Sequence, residues 1–176
     1  ATVVDVEMPW VSSGRAINLG LLLPEALSVH EKWLKEQREK YDPEVRIRLE
    51  AGIGISATDY IWAQRARRQF NERMSEAMKV VDVLVTPTVP IQTPTIEECT
   101  YPKQLAAASI GNRLPMFTGI FDVTGTPSMN LNCGFTVSGM PVGLMISGKP
   151  FDELTVLKVG YAYESLSRWN QHHPTL

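Results

Sequence analysis

Arg67 is the position where residue type and spacing disagree most. Ala63, Ala66, Phe70, Met74, Ala77 and Met78 define one apolar face of a helical segment. At about 100° per residue Arg67 falls within that face, while Arg65 and Arg68 point away. A guanidinium among core residues needs a carboxylate, carbonyls or a ligand anion, because an unpaired buried charge costs several kcal/mol. A structural pairing and a pocket-lining role therefore compete for it. Asp122 is the candidate partner, a carboxylate in the otherwise uncharged run Phe117-Thr118-Gly119-Ile120-Phe121-Asp122-Val123-Thr124-Gly125. Its alternative use is a turn in which it bonds its own backbone.

The remaining reactive side chains suggest less. His30 lies on an apolar helical stripe, where a core histidine with one satisfied nitrogen competes with a proton-transfer role. Cys133 has no base or cation near it in sequence and reads as a small buried thiol at a strand end. His172 and His173 sit in a terminal tail with no Cys nearby, a weak basis for a metal site. Ser12-Ser13-Gly14 lacks the Gly-rich approach of a nucleophile loop and reads as a surface turn. There is no Gly-x-Ser-x-Gly, phosphate loop, dinucleotide fingerprint or His-Glu-x-x-His, so the chain carries no complete catalytic set and calls for no cofactor or metal.

These residues must be positioned by the elements around them. The 176 residues carry 17 Lys and Arg against 19 Asp and Glu, a net charge of −2 that argues against nucleic acid or an anionic membrane as partner. With 44% hydrophobic and 20% charged residues the chain suits a globular core, and no run approaches the roughly 18 apolar residues of a membrane span. Two cysteines are too few for a disulfide framework and fit a reducing, cytoplasmic setting. Of the 12 glycines and 12 prolines, 15 lie between Pro87 and Pro150, a stretch holding only 6 charged residues. That combination predicts irregular backbone and short strands packed inside a protein rather than a solvated linker.

Residues 2–10 alternate around Val4, Val6 and Met8, which predicts a short strand ending at Pro9. A helix is expected from Pro24 through Leu27, His30, Leu34, Gln37 and Tyr41, ended by Pro43. The next opens at Ser56, whose hydroxyl can cap the N–H of Asp59, and runs to about Val80. Val83-Leu84-Val85 reads as a fully buried strand, and Ser128 to Asn132 with Val142 to Ser147 as a hairpin. A last helix starts near Asp152 and is expected to turn Leu154, Leu157, Tyr161 and Leu166 inward.

Asp82-Val83-Leu84-Val85-Thr86-Pro87-Thr88 resembles the buried strand and pocket-side loop of the amidase-signature enzymes. Thr118, Phe121, Gly125, Thr126 and Pro127 are similar to that family's "T…FN.TG.PA" pattern, with Asp122 where Asn is usual. Cys133-Gly134-Phe135 and Gly139-Met140-Pro141-Val142-Gly143-Leu144-Met145 resemble its "CG…GLPVGLQ" run, and Phe151-Asp152-Glu153 its "DE" helix start. Tyr60, Ala63, Gln64 and Arg67 are similar to its "Y..AQ..R" helix.

The resemblance implies an α/β fold, a mixed β-sheet covered by α-helices, of which these residues form a single C-terminal portion from 1 to 176. It implies hydrolysis of carbon–nitrogen amide bonds by a Lys, a Ser in a cis peptide and a nucleophilic Ser in a Gly-Ser-Ser-Gly-rich loop. All three belong to the N-terminal half, and Ser12-Ser13-Gly14 lies at the wrong place in the family order. The partner it implies is therefore that N-terminal half, in the same or a separate chain, with a small-molecule amide as substrate and a homodimer as a further possibility. Substrate-binding roles fall to Arg67, Thr118 and Asp122, Arg67 being the expected grip on a substrate carboxylate. The amidotransferase subgroup tends to place an Asp shortly before the position of Thr118. Arg113-Leu114-Pro115-Met116-Phe117 has no acid, which favours a simpler amidase, or one acting on a different amide, over binding of the glutamine amino group. The rival readings are a stand-alone binding module that kept the pocket without the chemistry, and an unrelated hydrolase using Cys133 or His30.

Overall fold

Three antiparallel strands carry helices on both faces in the computed structural model, which describes residues 1–100 and 110–172. The helices are α1 (Gly14–Glu36), α2 (Pro43–Ala51), α3 (Ala57–Ala77), α4 (Ile110–Arg113), α5 (Thr118–Thr124) and α6 (Glu153–Ser167). The strands are β1 (Leu84–Pro87), β2 (Ser128–Phe135) and β3 (Pro141–Ser147), in the order β1-β3-β2. Leu84 and Ser128 both stand opposite Ser147, so the hairpin expected from sequence is present and β1 joins its far side. Among the described residues no helix is long and apolar enough to cross a membrane.

Pairing fixes which residues share a face. Leu84 and Met145 join Ile17, Leu21, Phe70, Met74 and the apolar side of α5 in one core. Each such side chain contributes about 1.5–3 kcal/mol on burial. On the opposite face α6 lies over β2, with Gly160 against Met129 and Leu131. Val85, two places over from Met129 across Ile146, is left 54% exposed. β1 is thus covered on one face, not on both as its sequence suggested.

α3 forms as expected. Ser56 Oγ accepts from the Asp59 N–H at 3.1 Å, and the Asp59 carboxylate accepts from the Ser56 N–H and hydroxyl, closing a capping box. These bonds, the hydroxyl's first, hold the Asp59 carboxyl below its ordinary value. A pKa lowered by folding gives stabilisation that is complete above the ordinary aspartate range and lost as pH falls through the folded value. Ser56→Ala is expected to cost about 1 kcal/mol, read from the urea midpoint. The protection factor of the residue 59 amide, its exchange rate relative to the intrinsic rate at each pH, should fall on acidification in the parent and show no such step in Asp59→Asn.

Four expectations are corrected. Residues 1–8 form no strand: Val3 and Val4 are exposed, and only Val6 and Met8 pack against the core. α1 starts ten residues before Pro24, which lies inside it, because burial of Ile17 and Leu21 outweighs the hydrogen bond a proline removes. Pro43 opens α2 behind Asp42, whose side chain accepts from the Glu44 N–H, rather than closing α1. In α6 the buried residues are Val156 and Gly160, and Leu154, Leu157, Tyr161 and Leu166 face outward, Tyr161 at 73% exposure. The small residue lets the helix approach the strand, so the large apolar ones are turned away.

Candidate functional site

α5 lies in the stretch read as irregular from its glycines and prolines. Its helical form comes from its surroundings: Ile120, Phe121 and Val123 are buried, and Asn18 Nδ2 of α1 donates to the Gly119 carbonyl at 3.2 Å. At its other end Arg67 Nε donates to the Val123 carbonyl at 2.7 Å. That carbonyl is among the last four of the helix, which have no partner within it. Arg67 is therefore half-buried against a carbonyl, and among the described residues no ion pair joins it to Asp122.

Thr118 and Asp122 are four residues apart and share the free face of α5. Both line a cleft of about 360 Å³ with Thr88, Thr126 and Asn130, over Phe121 and Met145. Thr124 and Thr126 share a hydroxyl hydrogen bond of 2.8 Å at the end of the helix. On the sheet side Thr88 Oγ1 donates to Asn130 Oδ1 across β3, directly over Gly143. A Cβ at Gly143 would stand 2.6 Å from Thr88 Oγ1 and overlap Asn130 Oδ1, so only glycine permits the bridge.

Arg67 lines a different and more open groove along α3, of about 650 Å³, with Gln64, Asn71, Ser75, Lys79 and Pro150. The structure thus brings Thr118 and Asp122 together and leaves Arg67 beyond the end of α5. Arg67→Lys should lower stability by about 1.5 kcal/mol, since an ammonium on a flexible stem cannot reproduce the Nε contact. Thermal melts check this.

The other candidates lie outside the cleft. His30 Nδ1 is 2.9 Å from the Tyr41 hydroxyl, between the rings of Trp33 and Tyr41. Cys133 in β2 is a free thiol, half-buried rather than buried. Ser13 ends a 3-10 turn, Pro9–Ser13, that runs straight into α1, and its hydroxyl donates to the Trp10 carbonyl. The His172 ring packs near Phe135 and Trp169, and His173 lies outside the described residues. Among the described residues no three His, Cys, Asp or Glu side chains cluster as metal ligands would. Sequence reasoning missed Asn130, although the alternation of Ser128, Asn130 and Asn132 with Met129 and Leu131 placed those polar groups on one face.

The amidase family model matches residues 1–157, and the chain belongs to that family. It is 39% identical over 178 residues to an amidase of Pseudomonas putida, aligning all of itself with 38% of that protein. To a glutamyl-tRNA(Gln) amidotransferase subunit from Thermodesulfovibrio yellowstonii it is 34% identical, across 83% of this chain and 30% of that one. Among solved structures, a crystal structure of an amidase superposes with a TM-score of 0.84 at 28% identity, covering 95% of this chain and 38% of the other. A bacterial aryl acylamidase of the amidase-signature family shares the fold, with a TM-score of 0.71 at 21% identity over 98% of this chain and 39% of its own. The chain spans well under half the length of each of these proteins.

Proposed function

We propose that these 176 residues are the C-terminal portion of an amidase-signature hydrolase and supply sheet and substrate pocket to catalytic residues carried on an N-terminal portion. The observation that carries this reading is surface. The chain exposes 11987 Å², whereas a compact 19.6 kDa monomer exposes about 8,600 Å². The excess exceeds the roughly 1,000–2,500 Å² that each partner contributes to an obligate interface. Much of what is exposed is apolar: Leu154, Leu157, Tyr161 and Leu166 on α6, Val85 on β1, and Phe151, 95% exposed at a backbone φ of 63° that is strained for an aromatic residue.

In the assembled enzyme a serine would attack the amide carbonyl, a Lys-Ser pair would carry its proton to the departing amine, and backbone N–H groups would hold the oxyanion. Water then releases the acid. Thr118 and Asp122 would bind the substrate beside α5. Arg67 would hold α5 through Nε and remains the group proposed for a substrate anion. Its Lys variant separates the two roles, because loss of an anion grip raises KM for anionic amides alone and loss of the cap affects all amides.

Mixing the chain with the segment of the Pseudomonas putida amidase that it does not cover tests the whole reading. Association in solution with the appearance of amide hydrolysis is the expected result. Two segments that ignore each other, with the chain a cooperative monomer, would point to a stand-alone module.

A further inference from the structure

We infer that the cleft beside α5 takes amides that also carry a protonated amine, and that Asp122 is the residue that selects them. This rests on the cleft being the substrate pocket. Among the described residues Asp122 is the one charged side chain lining it, and it enters none of the ion pairs they form. The other polar lining groups are the hydroxyls of Thr88, Thr118, Thr126 and Ser128 and the side-chain amide of Asn130. An ammonium has three donors and no acceptor, whereas a hydroxyl offers two lone pairs and a carboxylate about four. The cleft therefore provides the acceptors an ammonium requires around one negative charge, and among the described residues no cation lines it to receive a carboxylate, Arg67 lying along the other groove.

Asp122 is exposed, so water competes for it and the selection is modest. An ion pair of this kind corresponds to a preference of up to about fivefold over a neutral isostere.

The test titrates the 176-residue chain with 4-aminobutanamide and with pentanamide, which replaces the ammonium by a methyl group of similar size, following backbone amide shifts by NMR. The cationic amide is expected to bind about fivefold more tightly, with the largest shifts at Thr118 and Thr126. Added salt should narrow the gap. Asp122→Asn should abolish the preference while pentanamide still binds, and Asp122→Glu should keep it. Equal binding of the two amides at these threonines would overturn the selection by Asp122 and leave the pocket assignment standing. Absence of shifts around the cleft with either amide would overturn both.

Discussion

Purified alone, the chain is expected to hydrolyse no amide and to stay unlabelled by a fluorophosphonate serine probe. An unactivated serine is a weak nucleophile and needs a base within about 2.6–3.2 Å. Several of the described serines are otherwise engaged: Ser28 donates to the Glu25 carbonyl, Ser56 to Asp59, and Ser128 and Ser147 share a bond of 2.8 Å across β2 and β3. Lys35, Lys40 and Lys79 give their hydrogen bonds to Glu31, Gln37 and Glu76. Among the described residues no lysine or histidine is hydrogen-bonded to a serine. Adding the complementary segment should raise hydrolysis by at least about 10⁶-fold, the lower end of what enzymes achieve. Probe labelling should then map to the added segment. Robust labelling of the chain by itself would overturn the proposal.

The second large effect is structural. Gly160→Leu is expected to destabilise the chain by about 3 kcal/mol, seen as a lower urea midpoint, because even a Cβ there overlaps Met129 Sδ and lies 3.4 Å from Leu131 Cδ1. The Met129 thioether is the end of a flexible side chain and can yield to a Cβ alone, so the cost comes from the further carbons of leucine pressed between α6 and β2. Tyr161→Ser, one residue on, should change the stability of the isolated chain by no more than about 0.5 kcal/mol, yet weaken pairing with the complementary segment. Equal stability effects at the two positions would mean that α6 does not rest on β2 through Gly160.

That contrast shows where sequence reasoning reached and where it stopped. α3 was legible because its cap, apolar period and end are all local, and the hairpin because two apolar runs flank a Gly- and Pro-containing turn. The buried side of α6 was not, because periodicity marks an apolar stripe without saying what covers it. α5 was hidden by its own composition, being held helical by Asn18 and Arg67 from distant parts of the chain. In the site, Arg67 announced itself as a charge on an apolar face, and Thr118 and Asp122 through resemblance. The Thr88–Asn130 bridge could not be read, since it exists only once β1 and β2 flank β3.

The bridge also acts as a proofreader of strand pairing. Gly143 is the only residue of β3 without a side chain, flanked by Val142 and Leu144. A slip of the central strand in either direction would thrust a side chain between Thr88 and Asn130 and part them. The polar wall of the cleft is thus assembled in one alignment of the strands, and a mispaired sheet would fold without a pocket to offer.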